Sequence, residues 1–368
     1  MIVVIADDIT GAAEVAGVCL RYQLKVLFSL DGIPSEDADV VVITCDSRSE
    51  SEARAAEIHA AIADTIFKYQ VNWIFKKCDS VLRGYVTTEI KHLSTLYQVN
   101  KPLIVPVNPA AGRTIRGGQY FIHDIPLHET AFSGDPDFPA TTNQIEKLIN
   151  ERNTCQIPYE VPDCENLDEL TKLAGLHQDE KIFTGSTAWF QEILIKKLNL
   201  KRKDAAISSK KIENFIVFNG SLHPSGFDFL NTFEKKFPVE ILPLDLFREE
   251  KQDSGIVKFQ EEIILKFQQA KGLFLFQNPE ILHQCKDTVF IIRRTLLLIE
   301  KFFQIHDIEQ IMITGGATAF QTLQHLNMKI LIPDEELAPG VINFRIAGNS
   351  NLKIALKPGS YPWGVKFI

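Results

Sequence analysis

Four short apolar runs in the first third of the chain, residues 2–6, 40–44, 73–76 and 103–107, limit what it can fold into more than any other feature. Each has the length and the β-branched or aromatic content of a strand buried on both faces. Segments with helical spacing follow the first three, at 11–21, 50–69 and 87–97. Strands alternating with helices in this way need right-handed crossovers and a parallel sheet, which puts all four carboxyl ends on one edge. Those ends carry Asp7-Asp8, Asp46-Ser47-Arg48, Lys77-Cys78-Asp79-Ser80 with Arg83, and Asn108 with Gly112-Arg113. Open α/β sheets bind ligands at that edge. Four polar strand ends together are a stronger signal than any one of them.

Beyond Tyr120 the sequence turns irregular, and 123–136 reads as an ordered functional loop dense in Pro, Gly and Asp. A helix over 142–150, a strand over 181–184 and a helix over 188–198 follow, then a polar linker from Lys201 to Lys211. The pattern then restarts. Strands are expected at 214–219, 239–242, 272–276, 310–313 and 352–357, with helices at 227–237, 255–269 and 279–304. With 368 residues there is material for two cores. The expected fold is therefore α/β, two three-layer α/β domains with mainly parallel sheets, over 1–205 and 212–368, and a substrate cleft between them.

The net charge of -8 argues against nucleic acid or a membrane surface as partner, since both repel an acidic protein at long range. An anionic small molecule is still admitted, because a local Arg/Lys cluster acts within a Debye length of about 8 Å. The start of the chain has no basic segment followed by a long apolar one, so cytoplasm is the default expectation. Six scattered cysteines without CxxC spacing read as reduced, packed thiols. GxxxxGK(S/T), GxGxxG opening a helix, HExxH and GxSxG are all missing, which removes the common phosphate-loop, dinucleotide, zinc-protease and serine-hydrolase readings.

The candidate chemistry lies in the strand ends. Arg83 and Arg113 could clamp a carboxylate or phosphate, with Ser80 donating to it and Lys77 adding a point charge. Asp7, Asp8 or Asp79 could accept a substrate hydroxyl's proton or hold Mg2+ through water. The rival reading is a buried ion-pair network that only fixes the sheet edge. Later in the chain, Gly220-Ser221, Gly315-Gly316-Ala317-Thr318 and Pro358-Gly359 let backbone N–H groups approach phosphate oxygens, or simply make tight turns. His123 and His128, with Asp124 and Glu129, have no standard metal geometry, and no metal is expected there.

These residues carry a resemblance. Residues 5–12, Ile-Ala-Asp-Asp-Ile-Thr-Gly-Ala, are similar to the opening Ala-Asp-Asp-Leu-Thr-Gly-Ala of the four-carbon acid sugar kinases, the tetronate kinase family. Asp46-Ser47-Arg48 resembles that family's second strand end, and 77–84 its Lys-x-Asp-Ser-Thr-Leu-Arg-Gly. Residues 106–113, with Thr130-Ala131-Phe132 and Asp135-Pro136, match as well. Val81, Tyr85, Ala317 and Leu222-His223 depart from the family's pattern.

The resemblance implies a sugar-acid-binding domain over 1–205 and a nucleotide-binding domain over 212–368, using ATP and Mg2+. It implies Asp7, Asp8 and Asp79 as catalytic residues and Asp46, Arg48, Lys77, Ser80, Arg83, Gly112 and Arg113 as acid-binding residues. Ser221, Gly315, Gly316, Ala317, Thr318 and Gly359 would bind nucleotide. The implied reaction is phosphorylation of a hydroxyl of a threonate, erythronate or oxo-tetronate type acid; a homodimer is left open. Two rivals use the same residues: a lyase or isomerase needing no nucleotide, and a sugar-acid-binding protein without kinase activity.

Overall fold

Runs of Val, Ile and Phe long enough for one pass through a core form the first strands: β1 (Ile2–Ala6), β2 (Val26–Ser29), β3 (Val40–Thr44) and β4 (Trp73–Lys77), buried at every position. This computed structural model describes residues 1–135, 137–205, 207, 211–221, 236–247, 254–281, 285, 288–305, 308–359 and 361. The chain divides into two units, Met1–Asp204 and Ala205–Ile368.

In unit 1, β5 (Ile104–Val105) and β9 (Ile182–Gly185) complete a sheet in the order β2-β3-β1-β4-β9-β5, parallel throughout. Ala6 pairs with Thr44 on one side and Lys77 on the other, so three strands end side by side. The helices are α1 (Ile9–Arg21), α2 (Glu52–Phe67), α3 (Val86–Leu96), α4 (Ile145–Arg152), α5 (Leu167–His177) and α6 (Thr187–Lys197). Asp8 starts α1 from an extended backbone, accepting from Gly11 N at 3.2 Å. A Cβ at Gly11 would lie 2.7 Å from Asp8 Oδ1 and 3.0 Å from Lys77 Nζ, so any larger residue would displace the carboxylate that caps the helix.

The loop expected at 123–136 contributes one two-residue strand to a three-stranded antiparallel sheet whose other strands precede it in the chain. The sheet's strands are β6 (Arg113–Arg116), β7 (Gln119–Ile122) and β8 (Ile125–Pro126), followed by 3-10 turns at Leu127–Glu129 and Ala131–Gly134. Gly117 and Gly118, at φ +57° and +68°, make the turn between β6 and β7. The strands are two to four residues long, too short to display the alternation that marks a half-buried sheet.

Unit 2 orders its strands β11-β12-β10-β13-β16-β15-β14, where β10 is Phe215–Asn219, β11 Val239–Ile241, β12 Gly272–Phe276 and β13 Gln310–Thr314. The first five run parallel, while β14 (Ile330–Ala338), β15 (Val341–Ile346) and β16 (Asn349–Lys357) form an antiparallel meander. Strands β14 and β15 are absent from the sequence expectation. Phe215, Val217, Phe274, Phe276, Met312, Val341 and Ala355 pack as its core. Of the helix expected over 279–304, Thr288–Ile299 is described as α-helix and a 3-10 turn follows at Glu300–Gln304, while 282–284, 286 and 287 lie outside the described residues. Asn278 Oδ1 accepts from Glu280 N at 3.0 Å, a local turn that competes with helix at Pro279. Helices also cover Ser254–Ala270 and Gly316–His325. Residues 227–235 of the helix expected at 227–237, the Leu222-His223 departure, Ser208 to Lys210 in the linker and Pro136 lie outside the described residues. Among those described, no helix is long and apolar enough to cross a membrane.

Candidate functional site

At the carboxyl edge of unit 1, Arg48 is the hub. It follows β3 after Asp46, which takes a left-handed backbone at φ +49°. Its Nε donates to Asp7 Oδ2 at 2.8 Å and its Nη2 to Asp8 Oδ1 at 2.9 Å, while Nη1 lies 3.8 Å from Asp79 Oδ1. The four carboxylates here have different environments. Burial raises the pKa of Asp7 above its ordinary value even against the pull of Arg48 and Lys76. Asp7 Oδ1 is buried with no hydrogen-bond partner among the described residues. Burial also works against ionised Asp8, but Arg48, Lys77 and the Thr10 hydroxyl together hold its pKa below normal. Asp46 makes no side-chain cap, and burial, with Asp8 second, pushes its pKa up to about 7.

Asp79 begins the loop after β4 and is fully engaged. Its Oδ2 accepts from Val81 N (3.1 Å), Arg83 N (3.2 Å) and Arg83 Nε (3.0 Å), and its Oδ1 from Arg83 Nη2 (2.9 Å). Although burial opposes it, Arg83 and Arg48 hold the Asp79 carboxyl well below the usual range. Arg83 also reaches Asp135 Oδ2 at 3.3 Å. Leu82 and Gly84, at φ +62° and +97°, bend this loop back over the edge, and a Cβ at Gly84 would lie 3.3 Å from Asp7 Oδ2. Arg113, at the start of β6, donates through Nη1 to Ser80 Oγ, and its other guanidinium N–H groups have no hydrogen-bond partner among the described residues. The buried Tyr120 on β7 donates to Ser80 O at 2.6 Å. Phe132 lies beneath both guanidiniums, 5.6 Å from Arg83 Cζ and 5.7 Å from Arg113 Cζ. Gly112 sits apart from the carboxylates, in a left-handed turn against the His123 ring, and Asp124 pairs with Arg116 Nη1 at 3.0 Å.

Below the edge is a second network that sequence reasoning missed. Lys77 Nζ donates to Cys78 O at 2.8 Å, on the Asp8 side, whereas its neighbour Lys76 turns to Glu89 Oε2 at 2.6 Å. Glu89 lies on α3, 3.8 Å from His59 Nε2 on α2, and that nitrogen lies 2.9 Å from Ser47 Oγ. Burial, with Lys76 beside it, keeps His59 well below its ordinary pKa and therefore neutral. The only trace in the sequence is the paired lysine at the end of β4; nothing in α2 or α3 marks His59 or Glu89 off from helix surface.

In unit 2, the candidate nucleotide residues lie at the ends of β10, β13 and β16. Gly315, at φ +103°, precedes the helix that Gly316, Ala317 and Thr318 open, and a Cβ on it would lie 3.4 Å from Ser221 N. A Cβ on Gly359 would lie 2.5 Å from Ser221 Oγ, and one on Gly220 would collide with Thr318. The loops therefore converge on Ser221 and Thr318; Ala317 is exposed beside them. Lys357 was not foreseen: its Nζ donates to Pro358 O at 2.9 Å, and burial brings its pKa down to about 8. Asn219 and Thr314 are Cα partners across the β10–β13 ladder. Their side-chain oxygens, Oδ1 and Oγ1, are buried with no partner among the described residues.

A parallel sheet edge of paired carboxylates and guanidiniums in one unit, with converging glycine loops in another, defines a two-unit α/β protein built to hold small anionic ligands. Residues 2–186 match the family model described as the sugar-binding N-terminal domain, and the chain belongs to this family, the family of the tetronate kinases. It is 32% identical over 163 residues to a D-threonate kinase of Salmonella typhimurium, covering 43% of this chain and 38% of that relative. Identity is 24% over 409 residues to a 3-oxo-tetronate kinase of Brucella melitensis, covering 97% and 92%. A D-erythronate kinase of Heliobacterium modesticaldum is 32% identical over 155 residues, covering 40% and 35%. The stronger identities thus span little more than a third of those relatives. The fold is shared with a solved Haemophilus influenzae protein (TM-score 0.74, 20% identity, 99% and 98% covered). A solved Salmonella typhimurium LT2 protein shares it too (TM-score 0.80, 18% identity, 98% and 96% covered).

Proposed function

We propose that the protein transfers the γ-phosphoryl group of ATP to a hydroxyl of a four-carbon sugar acid of the threonate, erythronate or 3-oxo-tetronate type. Unit 1 binds the acid and unit 2 the nucleotide. The observation that carries the reading is the division of labour at the edge of unit 1: Arg113 keeps donors unused beside Ser80, while Asp7 and Asp46 keep carboxylate oxygens unengaged. A guanidinium with donors to spare suits the acid's carboxylate. Arg83, whose fork is taken by Asp79, shapes the loop instead.

Phosphoryl transfer asks for positioning and charge neutralisation more than for covalent help. Asp7 Oδ1 orients the acceptor hydroxyl, and Asp46, titrating near the working pH, takes its proton. Arg48 fixes Asp7, with Asp8 and Asp79 as its further counter-charges, and Lys77 adds positive charge on the Asp8 side. The loops of Ser221, Gly315–Thr318 and Gly359 cradle phosphate oxygens through backbone N–H groups. A bound Mg2+ would supply neutralisation of the charge on the transferring phosphates. The hard oxygens of Asn219 and Thr314 would hold it. Six cysteines free of disulfides accord with a cytoplasmic setting.

The test is ADP release coupled to a colour reaction, with MgATP and each of D-threonate, D-erythronate and 3-oxo-tetronate. One acid should raise ADP release far above the acid-free rate, and chelating the divalent cation should abolish it. Conversion of an acid with ATP omitted would replace this reading with a lyase or isomerase.

A further inference from the structure

Gln277 directly follows β12, and its backbone N–H donates to Asn219 O at 2.9 Å, which ties it between two strand ends. Its side chain is buried, at 5% exposure, and neither the amide oxygen nor the amide nitrogen has a hydrogen-bond partner among the described residues. A buried polar group left unpaired is destabilising, and such groups are uncommon in native proteins without a function to explain them. Gln277 lines a pocket of about 190 Å³ walled by Phe218, Ile281, Ile291 and Leu296, whose lining also includes Gly220 and Thr318 from the glycine loops.

We infer that this pocket holds the base of the nucleoside triphosphate, with the Gln277 amide pairing through both its ends to a base edge that offers a donor beside an acceptor. The inference rests on the reading of unit 2 as the nucleotide-binding unit. A volume of about 190 Å³ is below the range of about 300–1,000 Å³ found for pockets enclosing whole ligands, so it suits one planar ring system. Charged phosphates would lose hydration against these apolar walls and stay by the glycine loops. An amide presents an acceptor next to a donor, the pairing by which glutamine reads adenine elsewhere. With neither end committed it can also turn over, so guanine's edge is matched as well.

Isothermal titration of the full chain with ATP, GTP and tripolyphosphate, for the wild type and Gln277→Leu, tests this. ATP should bind the variant about tenfold more weakly or worse, the loss expected of one bidentate base contact, while tripolyphosphate binds both alike. The ligand-free variant should melt at or above the wild-type temperature, because an apolar side chain of similar size replaces an unsatisfied amide. GTP as tight as ATP supports a purine pocket whose amide turns over; a preference for ATP supports adenine. Equal ATP affinity in the two proteins overturns the inference and leaves the nucleotide reading intact. Failure of all three probes on the wild type overturns both. Should the variant not fold, the wild type decides, since ATP no tighter than tripolyphosphate leaves the base without a site.

Discussion

At the scale of single residues, the edge of unit 1 separates groups that hold charge from groups free to act. Arg113→Ala should raise KM for the acid by about 10- to 100-fold, the effect of losing one charge-assisted, two-pronged contact. KM for ATP should change little, and steady-state kinetics with each substrate varied in turn would show it. Lysine at 113 should restore little, since a point charge lacks the fork. Asp46 gives a pH prediction with a definite sign. Its folded pKa of about 7 lies above the ordinary 3.8, so the folded protein binds this proton more tightly than the unfolded chain. Its contribution to stability is full below pH 3.8 and lost as pH rises through about 7. Asp46→Asn should therefore stabilise the protein above pH 7 by about 2–4 kcal/mol and leave it unchanged near pH 3. The same variant should lower kcat about 10²- to 10⁴-fold and abolish the rise of activity with pH. Denaturant melts at several pH values and a pH–rate profile separate the two effects.

At the scale of elements, what the sequence discloses follows from how locally each feature is encoded. The ends of β1, β3 and β4 are legible because an apolar run and the polar residues after it are adjacent in the chain, and parallel pairing then forces the ends together. The β6–β8 sheet is not legible, because its burial comes from contacts made far away in sequence: Tyr120 is buried through its hydrogen bond to Ser80 O, 40 residues earlier. The same holds for Lys76, Glu89 and His59, whose pairing depends on how α2 and α3 pack against β4. Loss of the Tyr120 hydroxyl leaves a buried carbonyl unpaired. Tyr120→Phe should cost about 1–3 kcal/mol of stability and, by loosening Ser80 beneath Arg113, raise KM for the acid while sparing KM for ATP. A stability loss with both KM values unchanged would make the sheet a structural support only.

At the scale of the whole molecule, two units with separate cores make a single unfolding free energy a poor descriptor, so ligand effects are better read region by region. The glycine loops of unit 2 were legible as strand ends, whereas the meander was hidden in a stretch where β15 pairs antiparallel with both β14 and β16. Hydrogen exchange followed by mass spectrometry can resolve both units at once. A ligand that binds only the native state slows exchange by raising the free energy of opening, by about 2.7 kcal/mol at a hundred times Kd. The accepted sugar acid should protect residues 46–49, 79–84 and 113, and MgATP should protect 219–221, 277 and 315–318. Tripolyphosphate should protect the glycine loops but not Gln277, which isolates the contribution of the base. Protection by the acid with none from MgATP would leave a sugar-acid-binding protein. Protection of the unit 2 loops by nucleotide alone would keep the donor site and remove the acid from the edge of unit 1, because charge neutralisation at Arg113 cannot occur without slowing the backbone around it.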